Sequence, residues 1–278
     1  MPAVGELPSV TALDPRTTRV LAPNPSPMTL DGTNTYIVGE PGSGEAAVVD
    51  PGPDDAAHRE RVLATLAERD ATCVLILVTH HHLDHAAAAQ PWANAFSCAL
   101  VAPTGHVAGP DGRTVGDGDV LRAGGVGFEV VATPGHSADH VSFRLDHGPL
   151  LTGDHILGRG TSVVAYPDGD LEAYLASLRR VLDLGPDALF PGHGPEMGDD
   201  PLAVVRFYVA HRRFREEQIL ALLDAGPAHT TTLVRRIYDD VDERVLPAAA
   251  ASTRAALQKL SAEGRVEVDG SGMARRAT

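Results

Sequence analysis

Cysteine, lysine and aromatic residues are all scarce in this chain, and each scarcity removes a class of protein. Two cysteines in 278 residues, Cys73 and Cys98, cannot build a disulfide framework. Both stand in apolar segments, which reads as a pair of inert buried thiols. Lys259 is the only lysine, so nearly all positive charge is arginine, a bias of composition. Six Phe, five Tyr and one Trp leave few platforms on which nucleotide bases could stack. Apolar runs such as VLILV at 74–78 fall far short of the ~20 residues a membrane helix needs, so no membrane partner is expected. The opening MPAVGELPSV has no basic region followed by an apolar one, and the expected location is the cytoplasm.

Charge is the one property in excess. The formal net charge is −14. Residues 228–278 carry 8 basic and 7 acidic side chains, so the acidity belongs to the N-terminal part. Such a surface argues against grip on nucleic acid by electrostatics alone.

Strand-like and helix-like segments are mixed along the chain, which predicts an α/β layered domain. NTYIVG (34–39), AAVVD (46–50), TCVLILVT (72–79) and CALVAP (98–103) read as strands, and 54–69 as a helix with an acidic start. Residues 115–153 are β in character, and 170–185 reads as a helix closing at Gly185. The pattern predicts one α/β domain over 1–200, which the resemblance given below makes the catalytic one, and a connecting amphipathic helix over 201–226. A winged-helix-like α+β domain over 227–278 follows, its wing marked by the hairpin signal DGSG.

The chemistry is concentrated in HHHLDH (80–85), which ends a buried strand. His80, His82, Asp84 and His85 within six residues are costly neighbours unless a cation sits among them. Positions 80 and 82 face the same way from an extended backbone, and 84 and 85 turn toward a second point. Three more candidates follow strands in TPGH (133–136), TGD (152–154) and PGH (191–193). Each is preceded by a glycine that permits close backbone approach.

This ordered set resembles the metallo-β-lactamase superfamily from Asp50 to His193. The resemblance implies a four-layer αβ/βα sandwich with a two-metal site on one edge. His80, His82 and His136 would hold the first metal, and Asp84, His85 and His193 the second. Asp154 would bridge both. Asp50 would prop the histidine loop, and His81 would point away. Two Zn²⁺ per chain suit this nitrogen-rich set, with Mn²⁺ or Fe²⁺ as alternatives. A metal-bridging hydroxide would be the nucleophile, with Asp84 and Asp154 as catalytic carboxylates. Asn34, His140, His155, Arg159, Tyr166 and His211 are candidates for holding the ligands or lining the substrate cleft.

Asp154 stands where the main class of zinc β-lactamases has cysteine, so β-lactam cleavage is not expected. MTLDGTNTYIVG (28–39), GDHILGRGTSVV (153–164), FPGHGP (190–195) and the tail resemble the beta-lactamase-like protein 2 branch. That resemblance implies a phosphodiesterase or endoribonuclease acting on single-stranded RNA. The alternative is a thioester or ester hydrolase, similar to hydroxyacylglutathione hydrolase or to acyl thioesterases, and the net charge favours it. The tail, nearly neutral, is expected to act as a homodimer docking element and not to read a nucleic-acid sequence.

Overall fold

The computed structural model describes residues 6–239 and 241–277. Residues 1–5, part of the opening segment read above as lacking a leader, lie outside it, as do 240 and 278 within the predicted tail. The chain divides into two compact units. The first comprises Met1–Thr133, Asp139–Gly160 and Pro186–Pro201; the second comprises Pro134–Ala138, Thr161–Gly185 and Leu202–Thr278. The seam therefore does not follow chain order, because the segment 161–185 clusters with the tail.

The first unit holds two sheets. One has seven strands in chain order: β1 (Val10–Ala12), β2 (Thr17–Leu21), β3 (Asn34–Val38), β4 (Glu45–Val49), β5 (Thr72–Leu77), β6 (Ala99–Ala102) and β7 (Arg113–Thr114). It is antiparallel from β1 to β4 and parallel from β4 to β7. Helices α1 (Ala56–Glu68), α2 (Leu83–Ala86), α3 (Ala89–Phe96) and α4 (Gly105–Ala108) lie in the parallel crossovers. The second sheet holds β8 (Val120–Ala123), β9 (Val126–Ala132), β10 (Val141–Leu145), β11 (Leu150–Gly153) and β12 (Leu189–Pro191), in the order β12-β11-β10-β9-β8.

Alternation along each strand sorts the apolar residues into two cores, since successive side chains leave a strand on opposite faces. Tyr36, Val38, Ala47, Val49, Leu75 and Leu77 meet Phe128, Val130, Phe143 and Leu151 of the second sheet. Their neighbours Ile37, Val48, Ile76 and Val78 pack outward onto Val62 and Leu66 of α1 and Trp92 of α3. The first sheet is thus buried on both faces, which is why β4 and β5 read as unbroken apolar runs. Asp55 caps α1 by accepting from the backbone N–H of His58 at 2.8 Å. The two cysteine sulfurs lie 3.8 Å apart, Cys73 buried and Cys98 half-buried.

His58 is fully buried on α1 and makes the first prediction. The Thr35 hydroxyl donates to the carbonyl of Asp50 at 2.7 Å, so its oxygen accepts from Nε2–H of His58 at 2.8 Å. The ring tilts against Trp92. Burial, aided by nearby Arg61, pushes the imidazole down to about 4. The unfolded chain therefore takes up a proton below about pH 6.5 that the folded chain refuses. This contribution to stability is complete above pH 6.5 and lost as pH falls toward 4, about 2 kcal/mol of it by pH 5. Denaturant unfolding at pH 7 and pH 5 checks this: His58→Gln should shrink the loss between the two pH values by about that amount.

The second unit contains α5 (Leu171–Leu184), α6 (Pro201–Asp224), α7 (Thr230–Ile237) and α8 (Leu246–Ala262). Strands β13 (Ala228–His229), β14 (Val266–Val268) and β15 (Met273–Arg276) form a small antiparallel sheet in the order β13-β15-β14. Asp170 caps α5, and Gly185 ends it in the left-handed region, where the sequence predicts the helix to close. Asp269 shapes the wing turn by accepting from the backbone N–H groups of Ser271 and Met273.

Lys259 proves to have a structural place beyond composition. Its ammonium on α8 is held by Glu216 of α6 at 3.1 Å and by Glu263 at 2.6 Å. Arg215 of α6 lies over the Tyr238 ring at 4.5 Å and donates to the carbonyl of Ile237. Val205, Tyr208 and Ile219 of α6 are buried, whereas Phe207 and Phe214 are exposed. Among the described residues no helix is long and apolar enough to cross a membrane.

Candidate metal centre

Four strand ends in the first unit converge because β4 and β5 are parallel neighbours, as are β11 and β12. Asp50 follows β4, Thr79 and the histidine run follow β5, Asp154 follows β11 and His193 follows β12. Asp50 is buried at the junction. Its carboxylate accepts from the Thr79 N–H and hydroxyl, each at 2.8 Å, and from Nδ1 of His85 at 2.9 Å. That last bond turns Nε2 of His85 toward the centre, the usual task of a carboxylate behind a ligand histidine. Sequence reasoning missed Thr79, which also meets Nδ1 of His80 at 3.0 Å and so leaves Nε2 of His80 facing inward. His193 donates from Nδ1 to the carbonyl of Gly32 at 3.1 Å, leaving its Nε2 inward as well.

The inward atoms outline a polyhedron. Nε2 of His85 lies 3.2 Å from Nε2 of His193, 3.3 Å from the Asp154 carboxylate and 3.8 Å from that of Asp84. Nε2 of His193 lies 3.2 Å from Asp84 and 3.4 Å from Asp154. Four ligands about 2.0–2.1 Å from a tetrahedral Zn²⁺ stand about 3.3–3.4 Å from one another. The residues present therefore fit a divalent cation of zinc's size. Gly192 leaves the space for it: a Cβ there would lie 2.6 Å from both the Asp154 carboxylate and the His85 ring.

A second group of donors adjoins the first. Nε2 of His80 and Nδ1 of His82 are 3.0 Å apart, and His80, His85 and Asp154 offer ligand atoms within 4.8 Å of one another. Asp154 thus belongs to both groups. His136 lies in the second unit, where its Nδ1 donates to the carbonyl of Val163 at 2.7 Å.

Imidazoles and carboxylates in this cluster shift one another strongly. Burial by itself would lower the His85 imidazole, but Asp154 and Asp50 outweigh it and raise it well above its usual value. His193 is pushed up to about 9 against the same burial, by Asp154 and Asp84. Burial would raise both carboxylates, yet the two imidazoles hold Asp154 well below the usual range and Asp84 at about 2. A dication replaces the protons such a cluster otherwise gathers.

The other candidates are distributed around this core. His140 is buried; its Nε2 accepts from the backbone N–H of Asp154 at 3.1 Å, and its Nδ1 meets the Thr133 hydroxyl at 2.9 Å. Both ring nitrogens are thus engaged by protein groups. His155 is fully buried beside it, with ring centroids 6.2 Å apart. Asn34 donates from its side-chain amide to the carbonyls of Pro191 and Gly194, bracing the His193 loop. His81 turns to Asp139 at 2.9 Å but keeps an edge contact with the His82 ring. Arg159 pairs with Asp31. Tyr166 and His211 lie in the second unit. Tyr166 is exposed beside a cavity of about 470 Å³ that Asp170, Glu172 and Lys259 also line. His211 accepts from Arg215, and burial with Arg212 and Arg215 nearby lowers it to about 4, so its ring is neutral.

Comparison with known proteins agrees with this geometry. The model of the metallo-beta-lactamase superfamily matches residues 28–193, and that of the beta-lactamase associated winged helix domain matches 230–275. The beta-lactamase-like protein 2 homolog of Drosophila melanogaster is 32% identical, over 94% of this chain and 93% of its own length. The atrochrysone carboxyl ACP thioesterase of Aspergillus fumigatus is 35% identical over 80% of this chain and 69% of its own. A metallo-beta-lactamase family protein of Thermus thermophilus superimposes with a TM-score of 0.80 at 26% identity, covering 95% of this chain and all of that one.

Proposed function

The chain belongs to the metallo-β-lactamase superfamily and is a hydrolase of that family with a C-terminal winged-helix domain, and we propose that it hydrolyses acyl thioesters with two bound divalent cations. The observation that carries the cation reading is the set of inward ligand atoms spaced 3.2–3.8 Å apart around His85 and His193. Asp84, His85, His193 and Asp154 hold one cation. His80 and His82 would contribute to holding the other, with Asp154 common to both. Zn²⁺ suits the nitrogen-rich set best. Once bound, such cations supply Lewis acidity and lower the pKa of water toward neutrality.

The chain's own residues do the rest. Asp50 and Gly32 fix which nitrogen of His85 and His193 faces the cation. His140 holds the backbone of Asp154, and so the shared carboxylate, in place. His85 and His193 are buried, whereas the Asp84 side chain is 32% exposed, so substrate enters over Asp84. In the proposed reaction water adds to the thioester carbonyl and the C–S bond breaks. The Asp84 carboxylate accepts the proton from the attacking water and passes it to the leaving thiolate.

Three observations support thioesters over RNA. The net charge is −14, relatives named as thioesterases match over most of the chain, and Arg159 is committed to Asp31 and not open to phosphate. The endoribonuclease reading is the second, supported by the near full-length match to beta-lactamase-like protein 2 homologues. Metal-loaded protein assayed against a panel of acyl thioesters and against single-stranded RNA separates them. Turnover of thioesters that chelation abolishes supports the first reading; cleavage of RNA alone replaces it with the second.

A further inference from the structure

Arg159 reads from the sequence as a guanidinium for an anionic substrate, and the structure gives it another partner. It forms an ion pair with Asp31, 128 residues away, with the Asp31 side chain fully buried and that of Arg159 13% exposed. The two residues sit on the two segments that grip the loop Pro191–Gly194. On one side the carbonyl of Gly32, next to Asp31, accepts from Nδ1 of His193 at 3.1 Å. Asn34 in the same segment holds Gly192 through its backbone N–H, and Pro191 and Gly194 through its side chain, each at 2.8 Å. On the other side Gly158, next to Arg159, donates its N–H to the carbonyl of His193 at 2.8 Å.

Both segments are seated without slack. A Cβ on Gly32 would lie 2.1 Å from the carbonyl oxygen of Ala22, and one on Gly158 would lie 2.1 Å from that of Pro195. Gly32 also has φ +131°, outside the range of ordinary side-chain-bearing residues. The ion pair joins the two jaws by their side chains. Removing either partner breaks this charge-assisted bond between the jaws.

We propose that the Asp31–Arg159 ion pair is a positioning device that clamps the two segments holding His193 and thereby sets the affinity of the cation position formed by Asp84, His85 and His193. This rests on the two-cation reading above. Arg159 acts through His193 and touches neither substrate nor cation. The expected effect is that of losing a group behind a metal ligand, about 10- to 100-fold in affinity for that one cation.

Full-length protein stripped by chelation is titrated with Zn²⁺ by calorimetry and with Co²⁺ by visible absorption, without substrate. Wild type should bind in two steps. Arg159→Gln and Asp31→Asn should each weaken one step about 10- to 100-fold and leave the other unchanged. The double variant should be no worse than either single one, because the two side chains act as a unit. Arg159→Lys, which keeps the charge, should recover part of the lost affinity. The retained step reports that each variant is folded. Two unchanged steps in both single variants would overturn the proposal alone. Wild type that binds no cation would overturn it together with the reading it rests on. Loss of both steps in Arg159→Gln but neither in Arg159→Lys would make the pair a general support of the fold and sink the positioning role.

Discussion

Asp154→Ala is expected to lower kcat by about a thousandfold and to reduce the cation content of the purified protein. Asp154 joins the two groups of donors, lying 3.3 Å from Nε2 of His85 and 3.4 Å from Nε2 of His193. Its removal takes away an anionic donor that offsets the charge of the cations held by the neutral imidazoles. Cation-derived stabilisation of a developing oxyanion is worth several kcal/mol, and each 1.36 kcal/mol is about tenfold in rate. Elemental analysis beside steady-state kinetics checks both parts. Full occupancy with kcat within about tenfold of wild type would remove Asp154 from the centre.

Gly192→Ala is the second large effect, although it adds only one methyl group. That Cβ would stand 2.6 Å from the Asp154 carboxylate and 2.6 Å from Cε1 of His85, with the Gly153 backbone 3.0 Å behind it. Neither ligand can retreat freely, since His85 is bound to Asp50 and the backbone of Asp154 to His140. Displacing a reacting group by about 1 Å costs on the order of a hundredfold in rate, which is the loss expected here. The cost to the fold should stay within about 1–3 kcal/mol, the range for overpacking. Thermal unfolding and kcat measured on one preparation separate the two. A variant with wild-type activity would show that the cradle is wider than these distances allow.

The layered fold and the donor set were both legible in the chain before any tertiary contact was known. Strand periodicity gives away the first: residues 36 and 38, 47 and 49, 75 and 77 fall on one face because a strand alternates strictly, whatever its neighbours. Chemical cost gives away the second, because His80, His82, Asp84 and His85 crowded within six residues are costly neighbours that a cation would reconcile. Gly185 marked the end of α5 for a similarly local reason. Partners distant in sequence were not legible in this way. Thr79 was overlooked because a threonine before a histidine carries no signal until Asp50 is beside it. Lys259 looked like a bias of composition until α6 brought Glu216 to it. Arg159 looked like a substrate clamp because its glycine-flanked loop suggests exposure, and only the fold brings Asp31 to it. Which nitrogen of His85 and His193 faces inward also depends on acceptors 35 and 161 residues away. Local sequence dictates which groups are present and which way a strand or helix presents them. Which charge neutralises which, and which lone pair is left for a cation, is decided by long-range packing, because a buried polar group takes the partner that the fold delivers.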